Sequence, residues 1–120
     1  MADDTDGDFA ELSRWLPHDA ARVRRIVAAF HRITVRDLLS MEHAAARGDW
    51  GEVRRLAERI SMGCKHVGET RAAACLAPLL ETQYEVSLKA LYFAWYAPRR
   101  GGLLRLVDRA ASVAMGEAFA

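Results

Sequence analysis

The chain has 120 residues with a formal net charge of +1 and 52% hydrophobic residues, which suits one domain with a modest core. No apolar run reaches the roughly 18 residues of a membrane span, and the polar, acidic N-terminus is not a secretory signal. We therefore expect a cytoplasmic protein without membrane contact, in which residues 1–8 form a flexible acidic tail and residues 9–120 a single domain. The two cysteines are too few for a zinc site or a disulfide framework, so we expect neither a metal nor a cofactor.

Charge is distributed unevenly along the chain. Five of the 16 acidic residues lie within the first 11 positions, which hold no base, so the rest of the chain carries 11 acids against all 17 Lys and Arg residues. This balance suits a surface that meets an acidic partner. The cluster of Arg22, Arg24 and Arg25 lacks the helix-turn-helix spacing or the interleaved aromatic residues of nucleic-acid readers. We therefore predict no nucleic-acid partner.

The first half of the chain predicts two helices. A short helix covers about residues 9–16, and Pro17 ends it. A long helix follows over residues 20–47, with Asp19 as its cap. Its inner face is predicted from apolar residues at helical spacing, which are Val23, Ile26, Val27, Phe30, Ile33, Thr34, Leu38, Met41 and Ala45.

A third helix is predicted from the turn at Gly48 and Asp49 to about His66. Gly48 closes the preceding helix, and Asp49 caps the next one. The inward stripe of this helix consists of Leu56, Ala57, Ile60, Cys64 and Val67. The opposite, outward face is predicted to carry Glu58, Ser61, Met62 and Lys65.

The last third of the chain is less regular. A helix begins near Thr70, kinked at Pro78, with Ala73, Leu76, Leu80 and Tyr84 inward. The segment 84–96 holds five aromatic residues, which either enlarge the core or form a docking or dimer surface. The sequence APRRGG at 97–102 predicts a break before a final helix over about residues 103–118. No strand pattern competes, so the predicted fold class is all-α, as an antiparallel helical bundle.

The spacing of these elements over residues 8–83 resembles that of the histidine-containing phosphotransfer (Hpt) domains of bacterial phosphorelays. The residues that carry the resemblance are Gly48-Asp49, Ile60, Val67, Gly68 and Leu80-Glu81. The resemblance implies an antiparallel four-helix bundle of the Hpt type, with a short N-terminal helix and an extended C-terminal helical region.

The departures from the family pattern fall where the family has its chemistry. The phosphoacceptor histidine of the family falls on Glu58, its lysine on Ser61 and the following glycine on Met62. A carboxylate forms a reactive acyl phosphate only with a well-placed cation or Mg²⁺. We therefore expect a degenerate, non-enzymatic member, in which Glu58 either imitates phosphohistidine or marks a lost site.

The outward face of the third helix is the expected partner-binding site. Because a receiver domain has an acidic active site, the resemblance implies a response-regulator receiver domain or a sensor histidine kinase as the partner. The residues assigned to this face are Arg54, Arg55, Arg59, Ser61, Met62 and Lys65.

Two alternative functions stay open. The first is an active phosphotransfer protein that uses His66, or one in which a native histidine has been replaced at position 58. The second is a helical self-association or scaffold module, with a homodimer formed through residues 84–96.

Overall fold

The computed structural model describes residues 9–116. The tail assigned to residues 1–8 and the end of the last predicted helix, 117–118, lie outside this range. Residues 9–116 contain helices and no strand, so the all-α prediction is confirmed. None of these helices is long and apolar enough to cross a bilayer. The elements are α1 (Ala10–Trp15), α2 (Ala20–Arg47), α3 (Trp50–His66), α4 (Thr70–Ala74), α5 (Ala77–Leu80), α6 (Glu85–Leu91), a π-helical turn (Tyr92–Tyr96) and α7 (Ala97–Ala114).

Local capping sets the ends of the two longest helices as predicted. The Asp19 side chain accepts a hydrogen bond from the backbone N–H of Arg22 at 3.1 Å. The Asp49 side chain accepts one in the same way from Glu52 at 3.2 Å. Gly48 closes α2 with φ of 75°, a left-handed conformation that favours glycine. These caps hold α2 and α3 as a tight hairpin.

The core lies where α2 and α3 pack on each other. The last helix, α7, packs against α2, and the three shorter helices α4, α5 and α6 pack against α3. The five residues of the predicted α3 stripe are all buried, as are six of the nine predicted on α2. Ile33 is wrongly predicted as inward, because it is 41% exposed at the edge of the α2–α3 contact. Each buried aliphatic side chain contributes about 1.5–3 kcal/mol to folding.

The chain after α3 is broken more sharply than a single kinked helix. The helix α4 ends at Ala74, with Cys75 as its C-cap. The next helix, α5, starts at Ala77 and has Pro78 in its first turn. Because the helix restarts, its original phase is lost: Leu79 becomes fully buried and Tyr84 is 78% exposed. The prediction of Tyr84 as an inward residue is therefore wrong.

The predicted break at residues 97–102 is also wrong, since α7 runs through this segment directly after the π turn. Pro98 falls in the first turn of α7, directly after the π turn. The guanidinium of Arg99 donates to the Trp95 carbonyl at 2.9 Å, and Arg100 donates to Glu42 of α2 at 2.5 Å. These contacts, with the buried Leu103, offset the roughly 1 kcal/mol that each helical glycine costs.

The π turn contributes both to the core and to the surface. Tyr92 and Tyr96 are buried, and the Tyr92 ring meets Trp50 of α3 edge-on at 5.6 Å. Phe93 also packs edge-on against Trp50 at 6.1 Å, yet it is 57% exposed. Tyr92 and Tyr96 therefore enlarge the core, while Tyr84 and Phe93 face outward. The docking or dimer surface stays a prediction.

The start of the described chain is held against the middle of the bundle. Phe9 is fully buried, and its ring packs edge-on against Phe30 of α2 at 5.9 Å. Its backbone N–H donates to the carboxylate of Glu69 at 3.2 Å. Gly68, with φ of 79°, lies so close to α1 that a Cβ there would stand 2.6 Å from the Cβ of Glu11. The turn after α3 therefore needs glycine both for its conformation and for this close approach.

Candidate functional site

The outward face of α3 carries Glu58, Met62, Lys65 and His66, which are all exposed. Glu58 lies near the middle of the helix, and its side chain forms no hydrogen bond or ion pair with another residue of 9–116. Lys65 and His66 follow in the last turn, where positive charge interacts favourably with the helix dipole. The face therefore presents one free carboxylate, with the Lys65 ammonium and the His66 imidazole toward the C-terminal end.

Ser61 does not belong to this face. It is only 2% exposed, so the prediction that Ser61 faces outward is wrong. It follows Glu58 by three residues, which places it about 60° around the helix from Glu58. That rotation moves it to the edge of the buried stripe, beside Ala57 and Cys64. A partner docking over Glu58 would meet Met62, which is 52% exposed, rather than Ser61.

Arg54 is engaged in holding the fold. Its Nε donates to the carbonyl of Thr82 at 2.9 Å, and one of its terminal nitrogens donates to the carbonyl of Leu80 at 2.8 Å. The carbonyls at a helix C-terminus lack intrahelical donors, and Arg54 supplies them at the end of α5. Its half-buried charge is therefore directed at the backbone and contributes little to the outward face.

Arg55 forms an exposed pair with Glu52 one turn earlier. Two guanidinium nitrogens donate to the two carboxylate oxygens at 2.8 and 2.6 Å. The hydrogen bond from Arg55 lowers the pKa of Glu52, and the same bond raises the pKa of Arg55. Exposed pairs of this kind stabilise a fold only slightly. The charge of Arg55 is thus largely balanced by its neighbour.

Arg59 interacts with a buried acid that sequence analysis missed. Asp37 of α2 has a side chain only 4% exposed, and its Oδ2 lies 3.3 Å from Nε of Arg59. Arg36 approaches the other carboxylate oxygen at 3.8 Å. A signal for this position exists, because Asp37 follows Thr34 by three residues and precedes Met41 by four, on the apolar stripe of α2. An acid on such a stripe predicts a buried pair with a base of the facing helix.

A partly open groove of about 170 Å³ runs between α2 and α3 beside this ion pair. Its walls are mainly apolar and include Ile26, Phe30 and Ile33 of α2. Gly63 borders it from α3, and a Cβ there would lie 3.8 Å from the Phe30 ring, so the missing side chain leaves the space open. His66 and Arg59 stand at its rim. Sequence analysis did not predict the groove, although Ile33 and Gly63 are its two visible signals.

The two thiols offer no metal chemistry in the part of the chain that the structure describes. Cys64 is fully buried, and desolvation raises the pKa of its thiol to about 12. Cys75 is half-buried, with its Sγ 3.8 Å from the Arg71 carbonyl. Between residues 9 and 116 no group of three His, Cys, Asp or Glu side chains could hold a metal ion. The site therefore consists of charges and a groove.

Comparisons with family models, with curated proteins and with solved structures gave no match for this chain.

Proposed function

We propose that this protein is a non-catalytic, Hpt-like signalling module that binds a response-regulator receiver domain or a sensor histidine kinase and so modulates a phosphorelay. One observation carries the proposal: the carboxylate of Glu58 is exposed on α3 without an ion-pair partner among residues 9–116, at the position that the resemblance assigns to the phosphoacceptor histidine. A fixed negative charge there has the sign of a phosphorylated histidine.

The arrangement of helices supports an Hpt-type architecture. In the proposed four-helix bundle, α2 and α3 are the first two helices. The short helices α4 and α5 together take the place of the third, and α6, the π turn and α7 together form the fourth. The packing of α2 on α3 and α7, and of α4 on α3 and α7, is what such a bundle requires. The short α1 would then be the N-terminal addition.

The charges around Glu58 favour binding over phosphoryl transfer. Transfer to a carboxylate requires cations aimed at the phosphoryl oxygens. Arg55 is paired with Glu52, Arg59 with Asp37, and Arg54 bonds to backbone carbonyls. None of these arginines is held toward Glu58 as a catalytic clamp, so the face serves recognition.

The partner is proposed to contact both the charged face and the groove. Lys65 forms no ion pair with another described residue, so it is free to meet the acidic pocket of a receiver domain. The apolar walls of the groove, Ile26, Phe30 and Ile33, would take an apolar side chain of the same partner. Because exposed charges are screened beyond about 8 Å at physiological ionic strength, binding should weaken with added salt.

The test is titration calorimetry against receiver domains from the same cell. Lys65→Glu and Gly63→Leu should each weaken binding at least tenfold, the first by charge and the second by filling the groove. Leu39→Glu is the matched control, because Leu39 is 55% exposed on the opposite side of α2 from Asp37. Unchanged binding in both test variants would contradict the proposed site.

Glu58→Ala separates the two roles left open for this residue. If Glu58 imitates phosphohistidine, its removal should weaken receiver binding. If it marks a lost site, binding should hold or improve, because a carboxylate that repels the acidic pocket has gone. Helix content measured by circular dichroism should not change, since Glu58 is exposed.

A second candidate function is favoured by one observation about His66. Its side chain is exposed at the last residue of α3 and borders the groove, so a receiver docked there could reach an imidazole. Active phosphotransfer through His66 is therefore the alternative to a binding-only role.

A further inference from the structure

An apolar surface lies on the side of the molecule formed by α6 and the π turn. Three of its large side chains are strongly exposed: Tyr84 at 78%, Val86 at 83% and Phe93 at 57%. Val86 and Phe93 are seven residues apart, about two helical turns, and Ala90 between them is exposed as well. We call these four residues the 84–93 stripe. Contiguous exposed apolar surface of this kind marks an interaction site.

The stripe is held rigidly from below. Phe93 packs edge-on against Tyr92 at 5.1 Å and against Trp50 at 6.1 Å, and both of these supporting rings are buried. The exposed ring of Phe93 is therefore fixed in its outward position before any partner arrives. Aromatic anchors that are ordered in advance lose little entropy on binding.

The charges beside the stripe are self-complementary. Glu85 and Lys89 are both exposed, lie one turn apart, and form no ion pair with another residue of 9–116. If two copies of this helix meet antiparallel about a two-fold axis near Ser87, Glu85 of each copy faces Lys89 of the other. A single symmetric contact then forms two ion pairs and covers both apolar surfaces.

We infer that the 84–93 stripe is a homodimer interface, occupied by a second copy of this chain packed antiparallel. The inference does not depend on the proposed signalling function, because it concerns a different surface from the α3 face. The stripe consists of four side chains along about 15 Å of helix. Such a patch forms a smaller contact than the roughly 800 Å² per partner of a stable interface. The dimer should therefore be reversible and depend on concentration.

Sedimentation equilibrium of the full chain tests this inference. The average mass should rise from 13.4 kDa toward twice that value as the concentration increases. Phe93→Glu should leave a monomer over the same range, with unchanged helix content. Met115→Glu is the matched control, because Met115 is 72% exposed at the C-cap of α7 and lies outside the stripe. This variant should dimerise normally.

Charge reversal tests the antiparallel arrangement. Glu85→Lys and Lys89→Glu should each weaken dimerisation at least tenfold, because like charges would then face each other. The double reversal should restore it, since the two pairs form again with opposite sign. A mass that stays at 13.4 kDa at every concentration overturns the inference, as does a dimer that is unaffected by Phe93→Glu. Failure of the double reversal to restore the dimer overturns the antiparallel contact.

Discussion

The Nε of Arg59 on α3 lies 3.3 Å from the Oδ2 of Asp37 on α2, so an exposed helix face is tied directly to a buried carboxylate. The Asp37 side chain is only 4% exposed, whereas that of Arg59 is 44% exposed. Any partner that pulls Arg59 toward itself would leave Asp37 with the more distant Arg36. The main role of Arg59 is therefore to stabilise the fold by pairing with Asp37.

Replacing Arg59 should destabilise the fold more than replacing Arg55 on the same helix. Arg59→Ala leaves a buried carboxylate poorly compensated, and we expect a loss of about 2–3 kcal/mol in the free energy of unfolding. Arg55→Ala removes only an exposed pair with Glu52 and should cost clearly less. Urea denaturation measures both. Equal costs would show that Asp37 does not depend on Arg59.

A companion variant checks the cause of that loss. Asp37→Leu combined with Arg59→Met removes both charges and leaves apolar groups of similar size. Such replacements of buried pairs are often close to neutral, so the double variant should be more stable than Arg59→Ala alone. A double variant as unstable as the single one would mean that packing, rather than the unpaired charge, accounts for the loss.

Two glycines with positive φ should respond differently to alanine. At Gly48 a Cβ would meet nothing within 4 Å, so Gly48→Ala should cost only the left-handed backbone strain of about 1–2 kcal/mol. At Gly68 the added Cβ would also stand 2.6 Å from the Cβ of Glu11. Moving α1 away should cost about 1–3 kcal/mol more. Thermal unfolding of the two variants gives the difference, and similar melting temperatures would contradict the close approach of α1.

Alkaline pH should destabilise the fold through Cys64. Burial raises the pKa of its thiol from the ordinary 9.0 to about 12, so the folded state keeps the proton that the unfolded chain loses. The contribution of this thiol to stability is complete below pH 9.0 and is lost as the pH rises toward 12.

The measurement is urea denaturation as a function of pH. Cys64→Ala should lose less stability than the unaltered chain between neutral pH and the alkaline end, whatever its stability at neutral pH. Cys75→Ala keeps the buried thiol and should follow the unaltered chain. The tyrosines Tyr92 and Tyr96, whose pKa values burial also raises, are present in all three proteins. Parallel curves for Cys64→Ala and Cys75→Ala would refute the role of the Cys64 thiol.

Incubation with a phosphorylated receiver domain or kinase should leave the protein unlabelled, because no imidazole stands at position 58. Acid-labile label that disappears in His66→Gln would establish the alternative function. Under the proposed function, Glu58→His with Met62→Gly introduces two exposed residues of the Hpt pattern that the sequence resembles, and this variant should gain measurable transfer. Ser61→Lys is not a useful addition, because Ser61 is only 2% exposed and a lysine there would disturb the helix packing.

Sequence reasoning succeeded where the determining chemistry is local. Asp19 and Asp49 precede helices and accept hydrogen bonds from their first-turn N–H groups, and Gly48 adopts the conformation that closes α2. These signals lie within a few residues of what they determine. The limits of α2 and the end of α3 at His66 could therefore be predicted closely.

Sequence reasoning failed where distant elements decide the outcome. Ser61 lies at the margin of the buried stripe, and only the packing of neighbouring helices determines that it is covered. Asp37 can be buried only because Arg59, on the next helix, reaches its carboxylate. The groove likewise depends on Phe30 and Gly63 standing opposite each other across two helices. None of these relationships is contained in the periodicity of one helix.

The segment 97–102 shows a different limit. Proline and two glycines within six residues ordinarily indicate a break, yet α7 begins there without one. The continuity depends on the preceding π turn, in which Ala97 bonds to the carbonyl of Tyr92 five residues earlier. That turn places Tyr92 against Trp50, a contact between parts of the chain about forty residues apart.

The position of Trp50 beneath Phe93 also gives the protein an intrinsic optical reporter. Trp50 is only 7% exposed, and its ring packs against Phe93, the exposed aromatic residue of the 84–93 stripe in the π turn. Trp15 is 53% exposed, and the Nε1 of Trp95 donates to the Cys75 carbonyl at 3.0 Å. When Trp15 and Trp95 are changed to phenylalanine, Trp50 is the only remaining tryptophan. Its fluorescence emission should shift when a partner covers Phe93. Occupation of the stripe can then be followed in dilute solution without an attached dye.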